Sequence, residues 1–220
     1  MLIDLAIIAL DSSLIQTGFE QNGQAGGDPE GAGQVASNTS TNNFINFCAQ
    51  YSLPLTNGTQ IKTGSCNAAP MGLIAATTAM PSSKFVNPAN LATIPANTNF
   101  TIQMAINNLD TGNFVNPDTN YFAAPQTTNA QGLIVGHSHV VIEKVTSLTQ
   151  TTPTDPTIFM FFKGLNDPAV NGQLSTTVAG GLPAGTYRMA SINAAANHQP
   201  ALVAVAQHGA LDDMVYVSIS

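Results

Sequence analysis

A chain of 220 residues with 44% hydrophobic content is long enough to bury a sizeable core and suits one domain. Only 8% of its residues are charged, against about 25% in ordinary soluble domains, so Asn, Thr, Gln, Ser, Gly and Ala must cover much of the surface. A net charge of -7 and five Lys plus Arg leave no basic patch to hold phosphates, which argues against nucleic-acid partners and against docking on anionic membranes.

The opening run, Met1 to Leu10, is apolar but is not a convincing signal peptide. It has no basic n-region, carries Asp4 inside the apolar stretch and lacks a small-x-small cleavage site. It is also too short to span a membrane. The expectation is a secreted protein whose leader has already been removed. Residues 3–20 predict a helix, because Leu5, Ile8, Leu10, Leu14, Ile15 and Phe19 recur at three- to four-residue spacing. Asp4 and Asp11 are cap residues, and a break near Asp11-Ser12-Ser13 is as compatible with the pattern as one continuous helix. Gln21 to Gly33 is Gly-rich and reads as a loop. The expected organisation is one domain over 1–220, with 1–47 as N-terminal helix and Gly-rich loop and 48–220 as a β domain.

Cys48 and Cys66 are the only cysteines. They predict a disulfide closing a loop of about 17 intervening residues, worth roughly 3 kcal/mol in the chain-entropy description. Asn38, Asn57 and Asn99 each begin an N-glycosylation sequon. Together with the scarcity of lysine, these features favour a secreted, extracellular glycoprotein.

Beyond Lys84 the pattern becomes that of strands. Phe100, Ile102, Met104 and Ile106 alternate with Thr101, Gln103 and Ala105, as in a half-buried strand. Further strands are predicted within Gly132–Thr146, at Ile158–Phe162 ending at Lys163-Gly164, at Gln173–Val178, at Tyr187–Ile192 and at Met214–Ile219. Ala201–Gln207, apolar on both faces, reads as a central strand. Strands punctuated by Gly, Pro, Asn and Asp, without alternating long helices, predict an all-β fold: an antiparallel β-sandwich or barrel-like domain with an N-terminal helix and long loops.

The chemistry concentrates on Gly136 to Val145. On a strand, side chains alternate between faces. His137, His139, Val141 and Glu143 therefore share one face, and Ser138, Val140, Ile142 and Lys144 the other. Two imidazoles at that spacing can approach one cation together. His198 and His208, the remaining histidines, flank the apolar run at Ala201, and Asp212 and Asp213 follow His208. The expected metal set is thus His137 and His139 with His208 or His198, supported by Asp212, Asp213 or Glu143, holding zinc or copper. His208 is favoured as the third ligand, because Gly209 lets the backbone turn. An extended run between His198 and His208 would keep the two roughly 33 Å apart. Ser138 lacks the closing glycine of a nucleophile elbow, no partner carboxylate for Glu143 is apparent, and the chain has neither a phosphate-binding loop nor a dinucleotide fingerprint. No nucleotide cofactor is expected, and no catalytic residue is assigned.

His137, His139 and Glu143 resemble the first cupin motif, although Gly132 stands one residue too close and the closing glycine is missing. Pro183-Ala184-Gly185 resembles the turn of the second cupin motif, but Arg188 occupies the place of its histidine, so a cupin-like site would need His198 or His208 instead. Over most of its length the chain is similar to a family of small secreted fungal proteins. The blocks that carry the resemblance are Thr41–Cys48, Gly136–Val145, Phe161–Asn166, and Asn197–Pro200 through Asp212–Tyr216. Members of that family are described as effector-like and are often given a ribosomal-protein label. The resemblance implies a fungal extracellular protein and carries over no activity. The ribosomal label conflicts with the acidic composition. Two functional readings follow. One is a secreted protein with a histidine-based divalent-metal site, accessory to polymer breakdown. The other is a non-catalytic effector-like or cell-surface protein that binds a cell-wall glycan or a host protein.

Overall fold

The alternating and β-branched stretches pair into three sheets in a computed structural model that describes residues 10–24, 33–55, 61, 63–67, 71–121, 124–208 and 211–220. The strands are β1 (Ser65–Asn67), β2 (Gly72–Ile74), β3 (Ser82–Asn87), β4 (Thr93–Ile94), β5 (Phe100–Asn107), β6 (Leu109–Asp110), β7 (Ile134–Val145), β8 (Phe161–Leu165), β9 (Gln173–Val178), β10 (Gly185–Ala195) and β11 (Met214–Ile219). The largest sheet runs β4-β11-β10-β7-β6, with β8 also paired to β7, and it curls into a half-barrel. A three-stranded sheet, β3-β5-β9, and the β1-β2 hairpin complete the set. The fold is all-β, as expected.

The main core lies between the two larger sheets. Val140 and Ile142 of β7, Tyr187 and Met189 of β10, and Val215 and Val217 of β11 meet Phe85, Ile102, Met104, Leu174 and Val178 of the smaller sheet. On β7 the even-numbered residues Val140 and Ile142 therefore face the core. The odd-numbered His137, His139, Val141 and Glu143 face outward. Register carries this alternation across the sheet: Val141 is opposite Ala190, and His139 is opposite Ile192.

The structure differs from the sequence expectations in three segments. Residues 3–9 of the expected N-terminal helix lie outside the described residues, and the remainder forms two 3-10 turns, Ser12–Leu14 and Thr17–Glu20. Asp11 caps the first of these with its side chain, closing a turn rather than starting a longer helix. The strand expected at Ile158–Phe162 begins at Phe161 and continues through Lys163 and Gly164, because pairing with β7 sets its limits: Phe161 is opposite Ile142 and Leu165 opposite Ser138. Ala201–Gln207 forms no strand. β11 pairs with β10 only over Gly185–Ala190, and further along that edge the chain folds back on β10 itself: Pro200 bridges Ala194, and the Ala201 amide donates to the Asn193 carbonyl. The pairing ends there, because the Leu202 amide goes to the Gln126 side chain.

Cys48 and Cys66 form a disulfide. Cys66 is fully buried with Phe44, Phe47, Leu73 and Ala124, so the bridge ties the N-terminal segment to the β1-β2 hairpin within a second small core. Among the described residues no helix is long and apolar enough to cross a membrane.

Candidate metal centre

Three histidines converge at one end of the outward face of β7. His137 and His139 are brought together by strand periodicity alone. The third, His198, arrives on a tight turn: its amide donates to the Ala195 carbonyl (2.9 Å), and the Ala195 amide donates to the Gln199 carbonyl (2.9 Å). His198 itself takes a left-handed conformation, φ 70°, which is uncommon outside glycine and is found where surroundings hold it. Asn197 anchors the turn from below. It is buried and donates to the Asn120 carbonyl (2.7 Å) and the Ser37 hydroxyl (3.3 Å).

His137 Nε2 lies 2.9 Å from His139 Nε2 and 3.0 Å from His198 Nδ1. One ring nitrogen from each histidine falls within 4.8 Å of the other two, and the group could hold a metal ion. The Asn113–Val115 segment crosses the end of the sheet and orients the rings. His137 Nδ1 donates to the Asn113 carbonyl (3.2 Å), and His198 Nε2 donates to the Val115 carbonyl (2.8 Å). A carbonyl can only accept, so each bond assigns the ring proton to the nitrogen away from the centre. His137 Nε2 and His198 Nδ1 therefore both present lone pairs inward. Backbone carbonyls that fix the tautomer in this way are a usual feature of metal-ligating histidines.

Electrostatics keep the cluster neutral. Burial pushes His137 down to about 2, with further repulsion from His139 and then His198, against a smaller opposing effect of the Asn113 carbonyl. Burial and then His198 lower His139 to about 4. Burial also lowers His198, partly offset by the Val115 carbonyl. His137 is fully buried, whereas His139 and His198 are partly exposed, so solvent reaches the centre from their side.

The remaining sequence candidates lie elsewhere. His208, favoured over His198, is exposed and outside the group, because the chain turns at Ala195–Gln199 before His198 leaves the sheet. Glu143 shares the outward face but sits four residues along β7 from His139, about 13 Å away. It accepts from both Arg188 Nε and Nη2 and from the Thr154 hydroxyl. Arg188, which stands where a cupin histidine would be, is thus the partner of Glu143. Asp212 accepts from the Asn193 amide (2.6 Å) and the Ser191 hydroxyl (3.1 Å), and burial raises its pKa. Asp213 accepts from Lys84 Nζ (2.9 Å) and the Phe85 amide (2.8 Å). Both aspartates fasten the chain leading into β11. Asn38 and Asn99 are exposed, while Asn57 lies outside the described residues. The orienting carbonyls of Asn113 and Val115 had no signal in the sequence, since any residue type supplies a carbonyl.

Fold and site together define a disulfide-clipped β protein with a tris-histidine group on the outer face of its main sheet. Residues 83–220 match the CLU5d N-terminal domain family, and the chain belongs to that family. It is 43% identical over 208 residues to the "Pathogenicity cluster 5 protein d" of the fungus Colletotrichum graminicola (strain M1.001 / M2 / FGSC 10212), an alignment covering 94% of this chain and 42% of that relative. The chain thus spans less than half the length of the curated relative it matches. The β1-β2 hairpin and the disulfide precede the family match, whereas His137, His139 and His198 fall inside it.

Proposed function

We propose that His137, His139 and His198 bind a first-row transition metal in a fungal protein that works outside the cell. The observation carrying this reading is the pair of inward lone pairs on His137 Nε2 and His198 Nδ1, 3.0 Å apart, in rings whose protons are committed to carbonyls. A cation between them converts a repulsion into two bonds. A hydrogen bond from His139 Nε2 to His137 Nε2 would satisfy one of the two nitrogens and leave His198 Nδ1 facing a lone pair.

Three imidazole nitrogens suit zinc or copper, and copper(II) is bound the more tightly by a given nitrogen site. Three neutral protein ligands leave coordination positions open on the solvent side. The disulfide suits an oxidising compartment, which supports secretion. Any chemistry, including assistance to polymer breakdown, would then belong to the metal, because Glu143, Asp212 and Asp213 are engaged in structural contacts.

Elemental analysis of protein purified without a histidine tag, followed by calorimetric titration with copper(II) and zinc(II), tests the reading. One equivalent of copper bound in preference to zinc, lost in His137→Ala and in His198→Ala, is expected. Equal metal uptake by wild type and both variants would sink it.

A further inference from the structure

The open side of the histidine cluster is bounded by aromatic carbon. The Phe162 ring lies 5.3 Å from His139, and Phe159 lies 6.2 Å beyond Phe162. On the opposite side Tyr121 stacks on His198 at 6.0 Å with 22° between planes. His139 and His198 are themselves nearly parallel, 10° apart in plane at 5.8 Å. The rings thus form one row: Phe159, Phe162, His139, His198, Tyr121. The carbon rings remain open to solvent, with Phe159 53%, Phe162 49% and Tyr121 59% exposed. On the sheet beside them, Phe162 is opposite Val141 and His139 is opposite Ile192, so the floor next to the row is apolar as well.

This surface and the proposed metal ask for one ligand with two properties. Three neutral imidazoles add no negative charge, so a divalent ion held by them favours an anionic oxygen donor. The protein's candidate carboxylates, Glu143, Asp212 and Asp213, are tied to Arg188, to Ser191 and Asn193, and to Lys84. Among the described residues no carboxylate joins the three histidines, so the charge comes with the ligand. The body of that ligand must lie against aromatic and aliphatic carbon. A sugar can stack its C–H face on these rings, but its hydroxyls are too weakly acidic to bring the anionic oxygen. A flat ring would stack there favourably.

From this, and resting on the metal reading above, we infer that the site takes an aromatic ortho-diol of the catechol type, its adjacent oxygens on the metal and its ring against Phe162 beside His139. Binding is coordination accompanied by loss of hydroxyl protons to solvent, with no redox step required.

The test uses the tag-free full chain loaded with one equivalent of copper(II) under nitrogen. The probe is 4-nitrocatechol, whose absorption shifts on deprotonation and chelation. Metal content is measured in every sample, and far-ultraviolet circular dichroism checks the fold. The expected result is a saturable spectral shift that needs the metal, weakens about tenfold in Phe162→Ala but little in Tyr121→Ala, and is not displaced by cellobiose. Tight probe binding unchanged in Phe162→Ala, or displacement by cellobiose, would overturn the ligand assignment while leaving the metal reading intact. Failure of the wild type to take up metal would overturn both.

Discussion

His137 Nε2 and His198 Nδ1 face each other at 3.0 Å with a lone pair on each, because the Asn113 and Val115 carbonyls have drawn both ring protons to the far nitrogens. The two residues come from different parts of the fold, one from the first part of β7 and one from a turn after β10. Their contact therefore depends on the turn and on the strap of residues 113–115 together. A ligand that bonds both nitrogens should lock the end of the sheet.

Metal addition is accordingly expected to stabilise the folded protein. At a free metal concentration of about 1,000 times Kd, the gain is roughly 4 kcal/mol. Thermal melts with and without copper(II) measure it. The shift should vanish in His139→Ala and persist in His208→Ala, whose side chain lies outside the group. A shift lost equally in His208→Ala would contradict the assignment of the third ligand.

The depressed pKa values imply a specific pH response in the metal-free protein. His137 and His139 are lowered from 6.5 to about 2 and about 4, so on acidification the unfolded chain takes up protons before the folded one does. Their contribution to stability is complete above about pH 6.5 and declines as the pH falls toward 4, by about 1.4 kcal/mol per pH unit for each histidine. Denaturant midpoints measured from pH 7 to 4.5 should drop steeply in wild type and less steeply in His137→Ala.

Gly136 is expected to be intolerant of any side chain. A Cβ at that position would lie 1.9 Å from the Ala194 carbonyl oxygen on the paired strand. The Gly136 carbonyl also accepts from the Asn113 amide (3.1 Å), next to the carbonyl that orients His137. Gly136→Ala should cost about 1–3 kcal/mol of stability and weaken metal binding as well. Chemical denaturation and metal titration of the same variant report the two effects separately.

The Glu143–Arg188 pair predicts strong non-additivity. Glu143 is 7% exposed, so removing Arg188 leaves a carboxylate almost out of contact with water. Arg188→Met should cost about 3–5 kcal/mol, whereas Glu143→Met combined with Arg188→Met should recover much of that loss. A double-mutant cycle by urea denaturation decides it, and additive costs would mean the pair is effectively solvated.

Loss of the Cys48–Cys66 bridge should lower stability by roughly 3 kcal/mol, through greater freedom of the unfolded chain. Replacing both cysteines by alanine and measuring unfolding by calorimetry tests this. Metal affinity should change little, because the bridge fastens the N-terminal segment to the β1-β2 hairpin and not the segments that carry the histidines.

Local pattern was legible in the residues themselves. The alternation of Phe100, Ile102, Met104 and Ile106 marks a strand with one buried face, and Ile102 and Met104 are fully buried in the main core. The same two-residue period places His137 and His139 on one face. Met214–Ile219 forms a strand with the limits its β-branched and aromatic residues suggest. These features depend on backbone geometry over a few residues, and side-chain alternation is a property of any strand wherever it sits.

What the tertiary structure decided was which segments meet. The run at Ala201 is apolar enough for a strand, yet its pairing with β10 stops at Ala201, where the Leu202 amide turns to the Gln126 side chain, so the run became a connection. The turn at Ala195–Gln199, not one at Gly209, brought the third histidine to the pair. Glu143 lay on the expected face but across from Arg188 in the β7-β10 register, and a buried carboxylate beside a guanidinium pairs with it instead of reaching an ion about 13 Å away. Residue type and spacing determine what a side chain can bond and which face it takes. Only the pairing of distant strands and the paths of their connections determine what it finds there.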